Sequence, residues 1–275
     1  MSEKLKFAIQ TAKKAGRLII RQSKKSLKIT QKRGKNDLVT NIDKASEELI
    51  IKEICKNYPD HEIIAEESSF QSEKNLKSFQ NAKYIWIVDP IDGTTNFAHG
   101  LPIYAVSIAL YKQKTANRSK NFQYMEGEII LGVIYAPKLD YLFYAEKNKG
   151  AFFNKQKIKV SDTKKLENSL LSTGFPYENK EINFPYFEKM TKKTRAVRRL
   201  GAATLDLAFI AAGKIDGHWE FNLKPWDIAA GALIIKEAGG KITDTSGNTL
   251  DLFGGDILAT NGKIQNQIIK DFSTI

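Results

Sequence analysis

The sequence predicts an α/β protein, a layered sandwich of helices on sheets, with an α+β arrangement in its first half. Apolar patterns of helical and strand period succeed one another along all 275 residues. The run Ile85-Trp86-Ile87-Val88 is apolar without alternation, as expected of a central strand covered on both faces. At 42% hydrophobic content the chain can bury a full core, and no repeat, low-complexity block or linker divides it. One unit of two lobes is expected, an α+β lobe over about 1–150 and an α/β lobe over about 151–275.

Residues 3–26 place Leu5, Ile9, Ala12, Ala15 and Ile19 at helical spacing between Lys and Arg, which predicts an amphipathic surface helix. Thr40-Asn41-Ile42-Asp43 has the form of a capping box before a second helix that stops near Pro59. A short strand over 61–65 runs into Glu66-Glu67, and 69–83 reads as loop. The strand ending at Val88 is expected to stop at Pro90, which has no N–H for a central ladder. Strand patterns follow at 104–111, 128–136 and 141–146, with an exposed basic hairpin excursion over 112–124. The second half alternates: strands at 170–173, 216–221, 241–243 and 257–260, and helices at 184–193, 203–212, 228–238 and 263–272.

Composition narrows the function classes. No apolar run approaches the ~18 residues of a membrane span. The start of the chain is charged and amphipathic rather than a secretory leader. Cys55 is the single cysteine, which excludes an internal disulfide and a cysteine-based zinc site and makes a reducing cytoplasm the expected location. Residues 1–35 carry twelve Lys/Arg against Glu3, so +11 of the net +12 lies there. Such a segment reads as a solvated helix face or as a surface for RNA or other anionic partners.

Five acids lie where a strand ends or a helix begins: Asp43, Glu66, Asp89, Asp92 and Asp227. Singly, Asp43 and Asp227 read equally as helix caps and Glu66 as half of an exposed loop pair. Asp89 and Asp92 resist that reading, because an apolar strand running into two acids is costly to bury without a cation. Gly93 permits close backbone approach, and Thr94 and Thr95 suit the first turn of a helix, whose N–H groups bind phosphate. Hard cations beside a phosphate site mean metal-assisted phosphate chemistry, in which two divalent ions roughly 3.5–4 Å apart neutralise charge, activate water and stabilise the leaving oxygen. With oxygen ligands and no His/Cys motif, Mg²⁺ is the expected metal.

Asp89-Pro-Ile-Asp92-Gly-Thr-Thr-Asn96-Phe, the upstream Ala65-Glu66-Glu67-Ser68 and the downstream Trp226-Asp227-Ile-Ala-Ala-Gly231…Glu237-Ala-Gly-Gly240 together resemble the inositol monophosphatase family. The likeness runs from Lys35 to about Asn261, and Arg198-Arg199-Leu-Gly201-Ala-Ala203 and Leu223-Lys-Pro-Trp-Asp227 resemble its bacterial branch. The resemblance implies an αβαβα sandwich of the inositol monophosphatase and sugar phosphatase type. It further implies a Li⁺-sensitive homodimer that hydrolyses inositol monophosphate to inositol and phosphate through in-line attack of a metal-activated water. Glu66, Asp89 and the Ile91 carbonyl would hold one Mg²⁺, Asp89, Asp92 and Asp227 a second, and a third, weaker ion would lie near Glu66. Asp43 and Thr94 would orient and deprotonate the water. Gly93, Thr94 and Thr95 would bind phosphate, Ala203 and Glu220 would face a phosphorylated polyol, and Lys35 would sit at the site mouth. Related phosphatases leave fructose 1,6-bisphosphate, NADP and 3′-phosphoadenosine nucleotides open as substrates, and some bacterial relatives imply contact with RNA or the transcription machinery. Ala202 stands where Ser or Thr is common, and Asn222 where glycine is frequent.

Overall fold

The computed structural model describes residues 1–24, 28–31, 38–69, 82–114 and 127–275. The chain begins with α1 (Glu3–Gln22), a two-stranded ribbon of β1 (Ile29–Gln31) and β2 (Leu38–Thr40), and α2 (Asn41–Asn57). There follow β3 (Glu62–Ala65), the single turn α3 (Glu66–Ser69), β4 (Tyr84–Asp92), the short α4 (Thr94–Ala98), β5 (Ala105–Gln113), β6 (Gly127–Ala136), β7 (Tyr141–Glu146), β8 (Ala151–Phe153) and β9 (Gln156–Ile158). The remainder comprises β10 (Leu170–Thr173), α5 (Phe184–Lys193), β11 (Ala196–Arg198), α6 (Ala203–Ala211), β12 (Gly217–Glu220), α7 (Pro225–Glu237), β13 (Lys241–Thr243), β14 (Ile257–Thr260) and α8 (Gln265–Phe272).

Two sheets order these elements. The larger runs β3-β4-β5-β6-β7-β8-β9, antiparallel except where β3 lies parallel to β4. The smaller runs β11-β10-β12-β14-β13, with β10 parallel to both of its neighbours. Helices α1 and α2 cover one face of the large sheet through Leu5, Ala12, Ile19, Ile42, Ile50 and Ile54. Helices α6 and α7 fill the space between the sheets, and α5 and α8 cover the far face of the small sheet through Met190, Ile268 and Phe272. The result is the expected αβαβα layering.

Side-chain alternation along β4 decides where the acids go. Trp86 and Val88 join the α1/α2 layer, whereas Ile85 and Ile87 face the α6/α7 layer. Asp89 is next on the latter face, which is where α7 brings Asp227. The middle helix can lie close because small residues meet: a Cβ on Gly132 of β6 would stand 2.7 Å from the Ala230 carbonyl oxygen and 2.9 Å from its Cα. Backbone on both sides leaves nothing to rotate away. Gly132→Ala is therefore expected to destabilise the protein by about 1–3 kcal/mol, read as a lower denaturant midpoint at unchanged slope.

The structure departs from the sequence reading at several points. Strand β4 does not stop at Pro90 but continues to Asp92, with its register on β5 broken between Asp89 and Asp92. Pairing with β3 has already ended at Val88, so the proline's missing N–H falls beside no β3 partner and at a bulge, the two places a sheet tolerates it. Glu66-Glu67 opens a helical turn instead of a loop. Helix α1 ends at Gln22, and α7 starts three residues early because Pro225 suits its first turn. Strands β8, β9 and β11 are too short to show a period. Most of the basic excursion over 112–124 and of the loop over 69–83 lies outside the described residues. Among the described residues no helix is long and apolar enough to cross a membrane.

Candidate active site

The site forms where the α2 N-terminus, the end of β4 and the α7 N-terminus converge. Asp89 leaves β4 buried, and its Oδ1 accepts the Ile91 N–H at 2.9 Å. Asp92, past the bulge, accepts the backbone N–H of Thr204 at 2.8 Å and the Thr204 hydroxyl at 2.5 Å, both through Oδ2. Ala202, the N-cap of α6, offers no side-chain cap, so Asp92 performs the capping from another strand. Asp227 occupies the third position of α7 and accepts the Lys224 N–H at 2.7 Å. Each acid thus has one oxygen engaged in a bond that fixes its rotamer. Oxygens of Asp89, Asp92 and Asp227 nevertheless lie within 4.8 Å of one another.

Asp43 and Thr94 meet behind this triad. Asp43 is fully buried; one oxygen takes the Thr40 N–H at 2.9 Å and the Thr40 hydroxyl, completing the capping box of α2. Its other oxygen lies 3.0 Å from the Thr94 hydroxyl, which also lies 2.9 Å from the Ile91 carbonyl oxygen. Ser46 of α2 donates to the Pro90 carbonyl at 3.2 Å and ties the helix to the strand end. Gly93 turns the chain into α4 with φ +85°, and a Cβ there would meet the Ile103 carbonyl oxygen at 2.8 Å and Ala202 Cβ at 3.1 Å. The glycine is thus required by its backbone and its neighbours. Glu66 enters from α3, beside Glu67, whose N–H donates to the Glu47 carboxylate at 2.7 Å.

The electrostatics call for a cation. Burial, reinforced by the charges of Glu220 and Asp206, pushes Asp92 up to about 7 against the Thr204 hydrogen bonds that lower it. Burial, with Asp92 and Glu66 adding to it, holds Asp227 well above the usual carboxylate range. Carboxylates held within 4.8 Å of one another at this cost fit a hard divalent ion coordinated through oxygen.

Around the acids lies a cleft of about 770 Å³. Glu66, Asp89, Ile91, Asp92, Gly93, Thr94, Thr95, Ala203, Glu220 and Asp227 all line it. Asp43 stands one layer back, touching the site through Thr94, and Lys35 lies outside the described residues. Sequence reasoning missed Thr204 and a buried polar group formed by Ser172, Asp206 and His218. Burial pushes Asp206 up to about 7; burial alone would lower His218, but the charges of Asp206, Glu220 and Asp92 outweigh it and raise its pKa. The signal available for His218 was its place two residues before Glu220, on the same face of one strand. Asn222 has φ +61°, the left-handed conformation that explains a preference for glycine there and that Asn tolerates.

Residues 1–275 match the profile of the inositol monophosphatase family. The chain is 38% identical over 268 residues to a fructose-1,6-bisphosphatase/inositol-1-monophosphatase of Thermotoga maritima, covering 98% of this chain and 95% of that one. It is 39% identical over 277 residues to the putative Nus factor SuhB of Neisseria meningitidis serogroup A, covering 99% of each. Among solved structures, extragenic suppressor protein suhB from Bartonella henselae superposes with a TM-score of 0.86 at 36% identity over 98% of both chains. An IMPase/NADP phosphatase complexed with Mg²⁺ and phosphate superposes with a TM-score of 0.80 at 26% identity, over 96% of this chain and 93% of that one. With its profile matched from end to end and its αβαβα layers shared, this chain belongs to the inositol monophosphatase family.

Proposed function

We propose that the chain is a Mg²⁺-dependent phosphomonoesterase of the cytoplasm whose substrate is a phosphorylated polyol, inositol monophosphate first. The observation that carries this reading is the meeting of Asp89, Asp92 and Asp227 within 4.8 Å in a cleft that Glu220 also lines. Glu66, Asp89 and the Ile91 carbonyl would hold one ion, Asp89, Asp92 and Asp227 another, and a third, weaker ion would lie near Glu66. Bound there, Mg²⁺ supplies charge neutralisation for the phosphoryl group and acidifies water.

The remaining work falls to the chain's own groups. Thr94 has one hydroxyl hydrogen and two acceptors in reach, Asp43 and the Ile91 carbonyl. Donation to Asp43 leaves the Thr94 lone pairs to orient an attacking water and draw off its proton. Gly93, Thr94 and Thr95 offer backbone to the phosphate, while Glu220 accepts hydrogen bonds from substrate hydroxyls beside Ala203. Lys180 and Arg199 line the same cleft and favour an anionic ligand.

A panel of inositol 1-phosphate, fructose 1,6-bisphosphate, NADP and a 3′-phosphoadenosine nucleotide, with and without Mg²⁺, tests the assignment. Metal-dependent phosphate release is expected, with the highest kcat/KM on inositol 1-phosphate. Preference for another member by tenfold or more, on the order of 1.4 kcal/mol, would move the assignment to that substrate; no release from any would end the phosphatase reading. Dimerisation and Li⁺ inhibition belong to the same proposal and are checked by light scattering and a LiCl titration.

A second role in RNA binding is favoured by the likeness to a putative Nus factor and by Lys6, Lys14, Arg17 and Arg21, which α1 presents at the surface. Part of this charge is used internally: Lys14 pairs with Glu53 at 2.9 Å, and Lys4 lies over the Tyr58 and Tyr84 rings. Salt-dependent RNA binding that survives Asp89→Asn would support the role.

A further inference from the structure

Strand β12 places an ionisable side chain directly behind the residue that faces the substrate. Trp219 turns into the outer α5/α8 layer, so its neighbours His218 and Glu220 turn toward α6. His218 is 1% exposed. Its Nδ1 lies 2.9 Å from the Ser172 hydroxyl, and its Nε2 lies 3.2 Å from Glu220 Oε2. Asp206 Oδ1, 3.9 Å from Nδ1, has no hydrogen-bond partner of its own.

From this geometry we propose that His218 is a positioning residue for polyol recognition, holding the Glu220 carboxylate at the cleft wall so that it meets the substrate's hydroxyls. The inference rests on the phosphatase reading above and names how that site selects its alcohol.

The hydrogen inventory fixes the direction of the bond. An ionised carboxylate only accepts, so Nε2 must carry hydrogen, whether the ring is neutral or charged. Ser172 adapts on the other side, donating to a neutral ring or accepting from a charged one. The second carboxylate oxygen is set by a slot: a Cβ on Gly174 would stand 1.8 Å from Glu220 Oε1, so that oxygen occupies space only glycine leaves open. One oxygen is held by an imidazole and the other lies in a backbone groove, so the Glu220 side chain, 14% exposed, has little freedom.

That restraint has work to do. Asp206, which is assigned to no ion, feels the charge of Glu220. Without a donor, this repulsion drives Glu220 away from Asp206 and out of register with the alcohol. The consequence is confined to substrates that offer hydroxyls. An aryl phosphate engages the acids and Thr94 but has nothing to give Glu220.

The experiment compares wild type, His218→Phe, His218→Gln and Glu220→Gln in Mg²⁺ on inositol 1-phosphate and p-nitrophenyl phosphate. His218→Phe keeps a flat ring, a larger one, and loses the donor. It is expected to raise KM for inositol 1-phosphate about tenfold while kcat changes by less than about threefold, lowering the polyol-to-aryl ratio of kcat/KM about tenfold. His218→Gln, which can still donate, is expected to recover most of that ratio, and Glu220→Gln to lower it at least as far as His218→Phe. Equal losses on both substrates, an unchanged ratio in His218→Phe, or a Gln variant no better than Phe would each overturn the proposal. An unchanged ratio in Glu220→Gln would instead remove the polyol reading on which it rests. Imidazole ¹⁵N spectra decide the bond independently of turnover. A solvent-protected His218 Nε2–H that shifts in Glu220→Ala is expected, and its absence overturns the proposal even if no substrate is hydrolysed.

Discussion

Asp89→Asn is expected to reduce Mg²⁺-dependent phosphate release by at least about 10³-fold while leaving the protein folded, the equivalent of losing roughly 4 kcal/mol of transition-state stabilisation. Asp89 is the buried member of the acid triad, at the point where β4 passes from core to cleft. The amide has the carboxylate's shape, and its oxygen can still accept the Ile91 N–H that Asp89 Oδ1 accepts at 2.9 Å. The local backbone therefore keeps its restraint while the negative charge is lost. Removing one of three like charges within 4.8 Å of one another relieves repulsion, so the melting temperature of the metal-free variant should equal or exceed that of wild type. Circular dichroism and a melt accompany the rate measurement. A folded Asp89→Asn within tenfold of the wild-type rate would falsify the placement of the chemistry at the end of β4.

Much of this site was legible in the sequence because its acids sit at element boundaries, and boundaries carry strong local signals. The capping box announced Asp43, the apolar run announced Asp89, and the helix expected from 228 put Asp227 beside a helix start, though that helix begins at Pro225. In three dimensions Asp43 and Asp227 each cap a helix and also face the site. Asp43 gives one oxygen to its own helix and presents the other to Thr94, and Asp227 both accepts the Lys224 N–H and stands in the acid triad. Less legible was whatever depends on distant partners. Asp92 caps α6 across 112 residues, a service with no local pattern in either segment. Pro90 read as a strand stop because pairing was assumed on both sides, whereas β3 ends two residues earlier. The Ser172–His218–Glu220 chain unites three residues through the parallel pairing of β10 with β12, which places Ser172 opposite His218. Sequence spacing holds no trace of that register.

Without metal, the protein should melt at a higher temperature at about pH 5.5 than at about pH 8, and Mg²⁺ should reverse the order. The sign follows from Asp92 and Asp227. In the unfolded chain their carboxyls titrate near the ordinary value of about 3.9; in the fold, burial and like charges push Asp92 up to about 7 and raise Asp227 well above the usual range. Between those limits the folded state binds more protons than the unfolded state, so stability is lost as pH rises. Asp206, also pushed up to about 7 by burial, contributes with the same sign. His218 does too, because a pKa raised in the fold favours the folded state below the unfolded value and ceases to do so as pH climbs through the folded one. Ordinary carboxylates stay ionised at both pH values; Glu47, raised by burial, adds with the same sign, whereas His61, lowered by burial, opposes it. Mg²⁺ needs deprotonated ligands; its stabilisation is therefore expected to be several degrees in millimolar metal near pH 8 and to shrink toward pH 5.5, with proton release on binding. Asp92→Asn separates cause from coincidence, since the amide keeps an acceptor for Thr204 but cannot titrate. That variant should melt higher than wild type without metal near pH 8, lose most of the Mg²⁺ upshift, and show a flatter pH profile. A metal-free melting temperature that rises from pH 5.5 to 8, in wild type and variant alike, would show that the triad's charge is compensated by some means other than a bound cation.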